Sequence, residues 1–170
     1  VLIKSYGLFW QLDEVDWHPG IGTKGGFRLL GRHGERLPKL RLANFRFQKG
    51  IYILYDNHGA HYVGLTMGEG LGKRLKDHLH DIHEGLWNRF SWFGFCSVLS
   101  RTGQDNIHKL GKMAVNTNVN PASIIKDTEA LLIRAMGLRN INTMRFSEKK
   151  AVEWTQVKKL EVDHYLSHIA

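Results

Sequence analysis

The chain has 170 residues, 42% of them hydrophobic and 24% charged, the balance of one globular domain with room for an added arm. Its single cysteine, Cys96, excludes an intrachain disulfide framework and any zinc site built on paired cysteines. The formal net charge of +8 and a pI near 9.7 direct attention to a polyanionic partner, either nucleic acid or an anionic membrane surface.

The chain lacks the uninterrupted apolar run of about 18 residues that a transmembrane helix needs, so none is expected. Val1-Leu2-Ile3-Lys4 has no basic region leading into a long apolar stretch, so no signal peptide is read there. With one cysteine the expected compartment is reducing, the cytoplasm. Residues 1–48 are rich in glycine, aromatic and basic residues and predict a β-rich N-terminal extension. Within it Asp13, Glu14 and Asp16 form an acidic cluster, and His18-Pro19-Gly20 and Thr23-Lys24-Gly25-Gly26 read as turns. Leu40–Phe47 alternates with the period of a half-buried strand.

Ile51–Tyr55 and Tyr62–Thr66 are short apolar runs joined by Asp56-Asn57-His58-Gly59. They predict a β-hairpin whose strands are buried on both faces. Leu71, Leu75, Leu79 and Ile82 recur at helical spacing and predict a helix over Leu71–Glu84. Phe90–Leu99 predicts a third strand, with Gly94 a candidate bulge and Cys96 a small core residue. Arg101–Asn120 is polar and predicts a loop with a short helical piece. Asn120-Pro121 opens a helix that runs to about Met136, where Gly137 stops it. Ser147–Ile169 predicts a last amphipathic helix, with Val152, Val157 and Leu160 on one side.

Two places on these helices carry chemistry. On a wheel of about 100° per residue, Ile125, Leu132 and Met136 fall close to Glu129 on one side and Ile133 on the other, with Lys126, Asp127 and Arg134 on the outer arc. Glu129 therefore interrupts an apolar face, and a buried carboxylate needs a partner cation or a metal. Arg74 and His78 are four apart, share one helix face and flank the apolar arc, whereas His80 and His83 point toward the polar arc. The planar fork of Arg74 suits a phosphate. Lys73, Lys76, His80 and His83 read as a solvated basic face. Gly68-Glu69-Gly70-Leu71-Gly72-Lys73 looks like a phosphate loop, but Arg74 stands where such a loop needs Ser or Thr. His58 and His61 flank a turn and read as exposed turn residues rather than metal ligands.

Gly50-Ile51-Tyr52, nine residues, then Tyr62-Val63-Gly64, followed by Arg74 with His78, by Glu129 and by a nearby asparagine, resemble the GIY-YIG endonucleases over residues 49–145. Arg74-x-x-x-His78 and Arg89-Phe90-Ser91-Trp92-Phe93-Gly94 look closest to the restriction branch of that family. The resemblance implies an α+β fold, with a small three-stranded antiparallel sheet flanked by helices and the site on one sheet face. Residues 1–48 would be an extension and 146–170 a C-terminal helix packed on the core. The implied activity is metal-dependent hydrolysis of double-stranded DNA in restriction or defence. The alternatives are structure-specific repair or mobile-element cleavage, an RNA-cleaving toxin, and a non-catalytic nucleic-acid-binding domain. One magnesium ion, or manganese, would sit on Glu129, and Arg74 would hold the scissile phosphate. Tyr52 would act as general base or orient the water, helped by His78 or by the positive field. Tyr62 would bond the water or the phosphate, and Asn142, with Asn140 the other choice, would brace the site. Lys73, Lys76, Arg101, Lys109 and Lys112 would contact the DNA backbone, with the basic residues of 1–48. Monomer and homodimer both stay open, and no membrane partner is expected.

Overall fold

A computed structural model describes residues 2–19, 26–113, 121–136 and 151–170; within 121–136 the side chains described are those of 127, 128 and 130–135. In chain order these residues form β1 (Ser5–Gln11), β2 (Leu30–His33), β3 (Arg41–Asn44), β4 (Gly50–Tyr55), β5 (Ala60–Thr66), α1 (Leu71–Asp77), β6 (Arg89–Gly94), β7 (Val98–Thr102), β8 (His108–Leu110), α2 (Pro121–Met136), β9 (Val152–Glu153), β10 (Thr155–Gln156) and α3 (Val162–Ile169). The fold is α+β. One five-stranded sheet has the order β5-β4-β6-β1-β9 and the other β10-β2-β3-β8-β7. Both are mixed, because β1 runs parallel to β9 and β3 parallel to β8.

The expected three-stranded sheet is thus corrected. Its members β5, β4 and β6 are antiparallel neighbours, but they do not stand alone. Strand β6 is buried on both faces, with Phe90 and Trp92 on one and Ser91 and Phe93 on the other. A strand of that kind cannot serve as a solvated edge, and β1 pairs with it through Ser5↔Gly94 and Trp10↔Phe90.

Three apolar layers follow from the period-two alternation of the strands. Tyr52 and Leu54 of β4 turn inward with Trp10, Phe45, Trp92 and Trp154 to fill the space between the sheets, where Leu71 and Leu75 of α1 join them. Ile53 and Tyr55 face the other way and meet Ala130 and Leu131 of α2. Leu30 and Leu42 on the outer face of the second sheet pack against α3.

Residues 152–156 serve both sheets at once. β9 extends the first and β10 pairs with β2 in the second, and Trp154 between them is buried. The Trp10 indole donates to the Trp154 carbonyl at 3.2 Å, and Gln156 exchanges two bonds with the Gln11 backbone at 2.7 and 2.9 Å. The predicted single helix over 147–169 is corrected here: the helix is confined to Val162–Ile169, because buried Trp154 and Val157 face the core in an extended chain. Residues 147–150 lie outside the described residues.

Other expectations are corrected too. Helix α1 ends at Asp77 rather than Glu84. Turn bonds from His80 N to Asp77 O, Glu84 N to Asp81 O and Leu86 N to His83 O replace the helical ladder, and Ile82 is 85% exposed. The predicted strand Phe90–Leu99 breaks after Gly94. There the buried Gln48 carboxamide takes the Cys96 amide and donates to the Cys96 carbonyl, leaving no space for a Cβ on Gly94. The chain then crosses to the other sheet as β7. Arg101–Asn120 holds the end of β7, the turn and β8 of a hairpin, with no helical piece among its described residues, and 114–120 lie outside the described residues. Strand β5 is an edge with Val63 and Leu65 exposed, not buried on both faces. Among the described residues no helix is long and apolar enough to cross a membrane.

Candidate active site

The two tripeptides Gly50-Ile51-Tyr52 and Tyr62-Val63-Gly64 pair across β4 and β5, with Tyr52 opposite Gly64 and Leu54 opposite Tyr62. Both glycines answer to sterics. A Cβ on Gly64 would collide with the Tyr52 ring and hydroxyl, and one on Gly50 would run into the Phe93 carbonyl of β6. The Tyr52 ring therefore lies over bare backbone, and its hydroxyl projects toward the end of α1.

There the Tyr52 hydroxyl meets His78 Nε2 at 2.8 Å, and His78 Nδ1 meets Asp81 Oδ2 at 2.7 Å. Tyr52 is 0% and His78 2% exposed. Proton positions follow from the chemistry of the three groups. Desolvation pushes Asp81 up, but hydrogen bonds from the His83 amide and from His78 outweigh it, and the carboxyl is held below its usual range. Asp81 is then a carboxylate and only accepts, so His78 Nδ1–H donates to it. Burial pushes His78 below the ordinary imidazole value, against the pull of Asp81. The ring is neutral at pH 7, its Nε2 accepts, and the Tyr52 O–H donates. Burial also raises Tyr52 to about 12, opposed by the charge of Arg74. In the hydrogen-bonded row Tyr52–His78–Asp81 the imidazole accepts from one neighbour and donates to the other, the arrangement a proton relay requires.

Arg74 and Tyr62 complete the open end. The guanidinium and the Tyr62 hydroxyl both bear on the Tyr52 hydroxyl. The Tyr62 ring lies 6.1 Å from that of Tyr52 and edge-on to His78 at 5.2 Å. Arg74 is exposed, and Tyr62 is half-buried. The structure thus brings together four of the six sequence-predicted residues: Tyr52, Tyr62, Arg74 and His78.

It does not bring α2 to them. That helix packs on the opposite sheet face, where the Tyr55 hydroxyl donates to the Ala135 carbonyl at 3.2 Å and Arg134 lies 5.0 Å over the Tyr6 ring. Asp127 is 2% exposed, while Leu132 is 56% exposed. The expectation that Asp127 and Arg134 lie outward and Leu132 inward is corrected. Small Ala130 lets the helix approach closely along a different stripe. The Glu129 side chain lies outside the described residues, as do Asn140 and Asn142.

Asp81 of the hydrogen-bonded row and His83 beside it escaped the helical wheel. His83, expected on the polar arc, packs its ring 4.4 Å from Tyr62 and 4.9 Å from His78 and meets His61 at 3.2 Å. Asp81 was not singled out at all. The wheel failed for both because the helix ends four residues before Asp81. The His78-x-x-Asp81-x-His83 spacing was the available signal. His61 is exposed, as expected, and its ring meets that of His83.

The predicted backbone-contacting residues divide. Lys73 pairs with Asp77 and Glu69, and Lys76 donates to the Trp17 carbonyl at 3.2 Å. Arg101, Lys109 and Lys112 are exposed on or beside the β7–β8 hairpin. Lys73 also lines a recess of about 380 Å³ with Arg46, Phe47 and Lys49. A second recess, of about 300 Å³, shares Phe47 and includes Lys109. Exposed Phe47 therefore lines both recesses, with Arg46 5.2 Å from its ring, Lys49 and Lys73 in one recess and Lys109 of β8 in the other. Arg46, Phe47 and Lys49 were not among the predicted contacts.

The donor set around Tyr52 does not suit magnesium, which takes oxygen ligands in an octahedral shell. Among the described residues, the side chains grouped so that they could hold an ion are His78, Asp81 and His83, two imidazoles and one carboxylate. Comparison of the chain with known protein families, curated proteins and solved structures finds no match.

Proposed function

We propose that the chain is a phosphodiester hydrolase that cuts double-stranded DNA. The observation that carries this is the Tyr52–His78–Asp81 relay with Arg74 and Tyr62 at its open end. A water that attacks phosphorus must lose a proton, and the phosphoryl oxygens must be neutralised as charge builds. A tyrosine with a pKa of about 12 is a poor base alone. Neutral His78 takes the Tyr52 proton while Tyr52 takes one from the water, and Asp81 stabilises the imidazolium that forms. Arg74 grips a non-bridging oxygen. Its exposed side chain covers the buried Tyr52 hydroxyl, so a phosphate that draws the guanidinium outward also uncovers the relay. Tyr62 bonds the water or the phosphate.

The resemblance to GIY-YIG endonucleases supports the same reading. It carries the nuclease core over 49–145, one magnesium or manganese ion on Glu129, bracing by Asn142, and cleavage of the restriction type. A second reading is favoured by the full burial of Tyr52 and His78. It is a non-catalytic nucleic-acid-binding domain in which the hydrogen-bonded row is a structural staple.

Supercoiled plasmid and single-stranded RNA, each with magnesium or EDTA, separate these readings. The expected result is plasmid cutting lowered about 10²- to 10⁴-fold in Tyr52→Phe, with EDTA and Glu129→Ala testing the metal that the resemblance implies. Cutting that is indifferent to Tyr52→Phe would overturn the relay mechanism. Binding without cutting selects the second reading, and preference for RNA reassigns the substrate. Discrete bands from linear DNA mark restriction-type specificity.

A further inference from the structure

The turn after α1 holds a second chemistry. His78, Asp81 and His83 each offer one donor atom, and the three lie within 4.8 Å of one another. Zinc–nitrogen and zinc–oxygen bonds of about 2.0–2.2 Å in tetrahedral geometry put donors about 3.4 Å apart. Rotation of Asp81 and His83, both on a surface turn, closes that difference.

Each donor is already oriented from behind. Nε2 of His78 is tied to the Tyr52 hydroxyl at 2.8 Å, leaving Nδ1 facing the cluster. The Oδ1 of Asp81 takes the His83 amide at 2.8 Å, which leaves Oδ2 to face the cluster. The ring of His83 is held by His61 at 3.2 Å and by the face of Tyr62. Outer hydrogen bonds of this kind fix the orientation of imidazole ligands. Asp81 is exposed and His83 half-buried, so water has access to a fourth position.

We propose that His78, Asp81 and His83 bind one zinc-class transition-metal ion, with the fourth position open to water. Two imidazoles and one carboxylate select zinc, cobalt or nickel over magnesium and calcium. The ion has a direct consequence for Tyr52. Neutral His78 carries one proton, which lies on Nδ1 in the metal-free site. The ion takes the Nδ1 lone pair, so the ring proton resides on Nε2 instead. The Tyr52–His78 bond then reverses, with Nε2–H donating to the tyrosine oxygen. No proton is gained or lost overall, but His78 can no longer accept from Tyr52. Zinc at this position therefore switches the relay off; this consequence, unlike the binding, rests on the nuclease reading.

The test uses the whole metal-free chain, cobalt as the spectroscopic probe and zinc as competitor in calorimetry. One ion per chain is expected, with the intense ligand-field absorption of tetrahedral cobalt, displaced by zinc and not by magnesium. His83→Ala and Asp81→Asn, both at turn positions and both checked for fold by circular dichroism, should weaken binding at least about tenfold. Imidazole nitrogen NMR should show the His78 proton moving from Nδ1 to Nε2 on zinc addition. No cobalt absorption, or absorption unchanged in both variants, overturns the site. Absorption lost instead in His164→Ala would place the ion on α3, where His164 and His168 stack at 4.3 Å, and would also overturn it. None of these readouts needs DNA cutting, so failure here and failure of the nuclease reading are separable.

Discussion

His78 is the residue on which most of the chemistry turns. Its neutrality in the fold has a cost that pH reveals. Burial depresses its pKa below the unfolded imidazole value of about 6.5. The unfolded chain therefore takes up a proton first as pH falls. The stabilising contribution is complete above about pH 6.5 and is lost as pH drops through the depressed folded value. Denaturant unfolding across that window should show a steeper acid loss for the wild type than for His78→Gln. Asp81 pulls the imidazole upward, so Asp81→Asn should lower the folded value further and extend the His78-linked loss toward lower pH, with its upper end still near about 6.5. A window whose lower end stays in place in Asp81→Asn would contradict the hydrogen bond at 2.7 Å as the coupling.

At the scale of elements, the β4–β5 hairpin is organised by an aromatic ring seated over a glycine. Gly64→Ala would drive a methyl group into Tyr52. The expected loss is about 1–3 kcal/mol, read as a lower denaturation midpoint with unchanged slope. The hairpin was legible in the sequence because its period-two runs and turn residues are local signals. So was the existence of α2, marked by Asn120-Pro121. The breaks were not legible. Helix α1 stops at Asp77 because His78 and Trp87 turn back to bond within the site, Trp87 donating to the His78 carbonyl at 3.3 Å. The apolar spacing through Leu79 and Ile82 continues past that point and misled the wheel. The stripe of α2 was misread for a similar reason. The wheel weighs large apolar residues, whereas the sheet receives Ala130, Leu131 and a carboxylate. Trp154 sits in a segment with helical periodicity, and only its long-range partner Trp10 decides that it is extended.

For the molecule as a whole the net charge is +8, and among the described residues cations gather at two neighbouring recesses. Lys49 and Lys73 line one recess, Lys109 lines the next, and Phe47 stands between them. Of these lysines, Lys73 and Lys109 were among the contacts expected from the sequence. That the two recesses adjoin at Phe47 could not be read there, because Phe47 lies far in sequence from Lys109. A duplex that contacts about four phosphates here should bind with a log–log salt slope of about −3.6. The Lys49→Ala, Lys73→Ala double variant should flatten that slope by about 2. Fluorescence anisotropy over a salt series measures both, and an unchanged slope would place the duplex elsewhere.

The short segment 152–156, which closes both sheets, also sets an order of events during synthesis. Until it leaves the ribosome, β1 lacks its parallel neighbour and β2 has only β3 of its two antiparallel neighbours, so the nascent chain carries two open hydrogen-bonding edges. The hairpin and the turn that carry Tyr52, Tyr62 and His78 are made long before that. Their layer between the sheets is capped only when Trp154 arrives. Assembly of the site is therefore tied to the synthesis of residues 152–156, and a polypeptide stalled before residue 152 is a sticky intermediate with its inner layer uncapped.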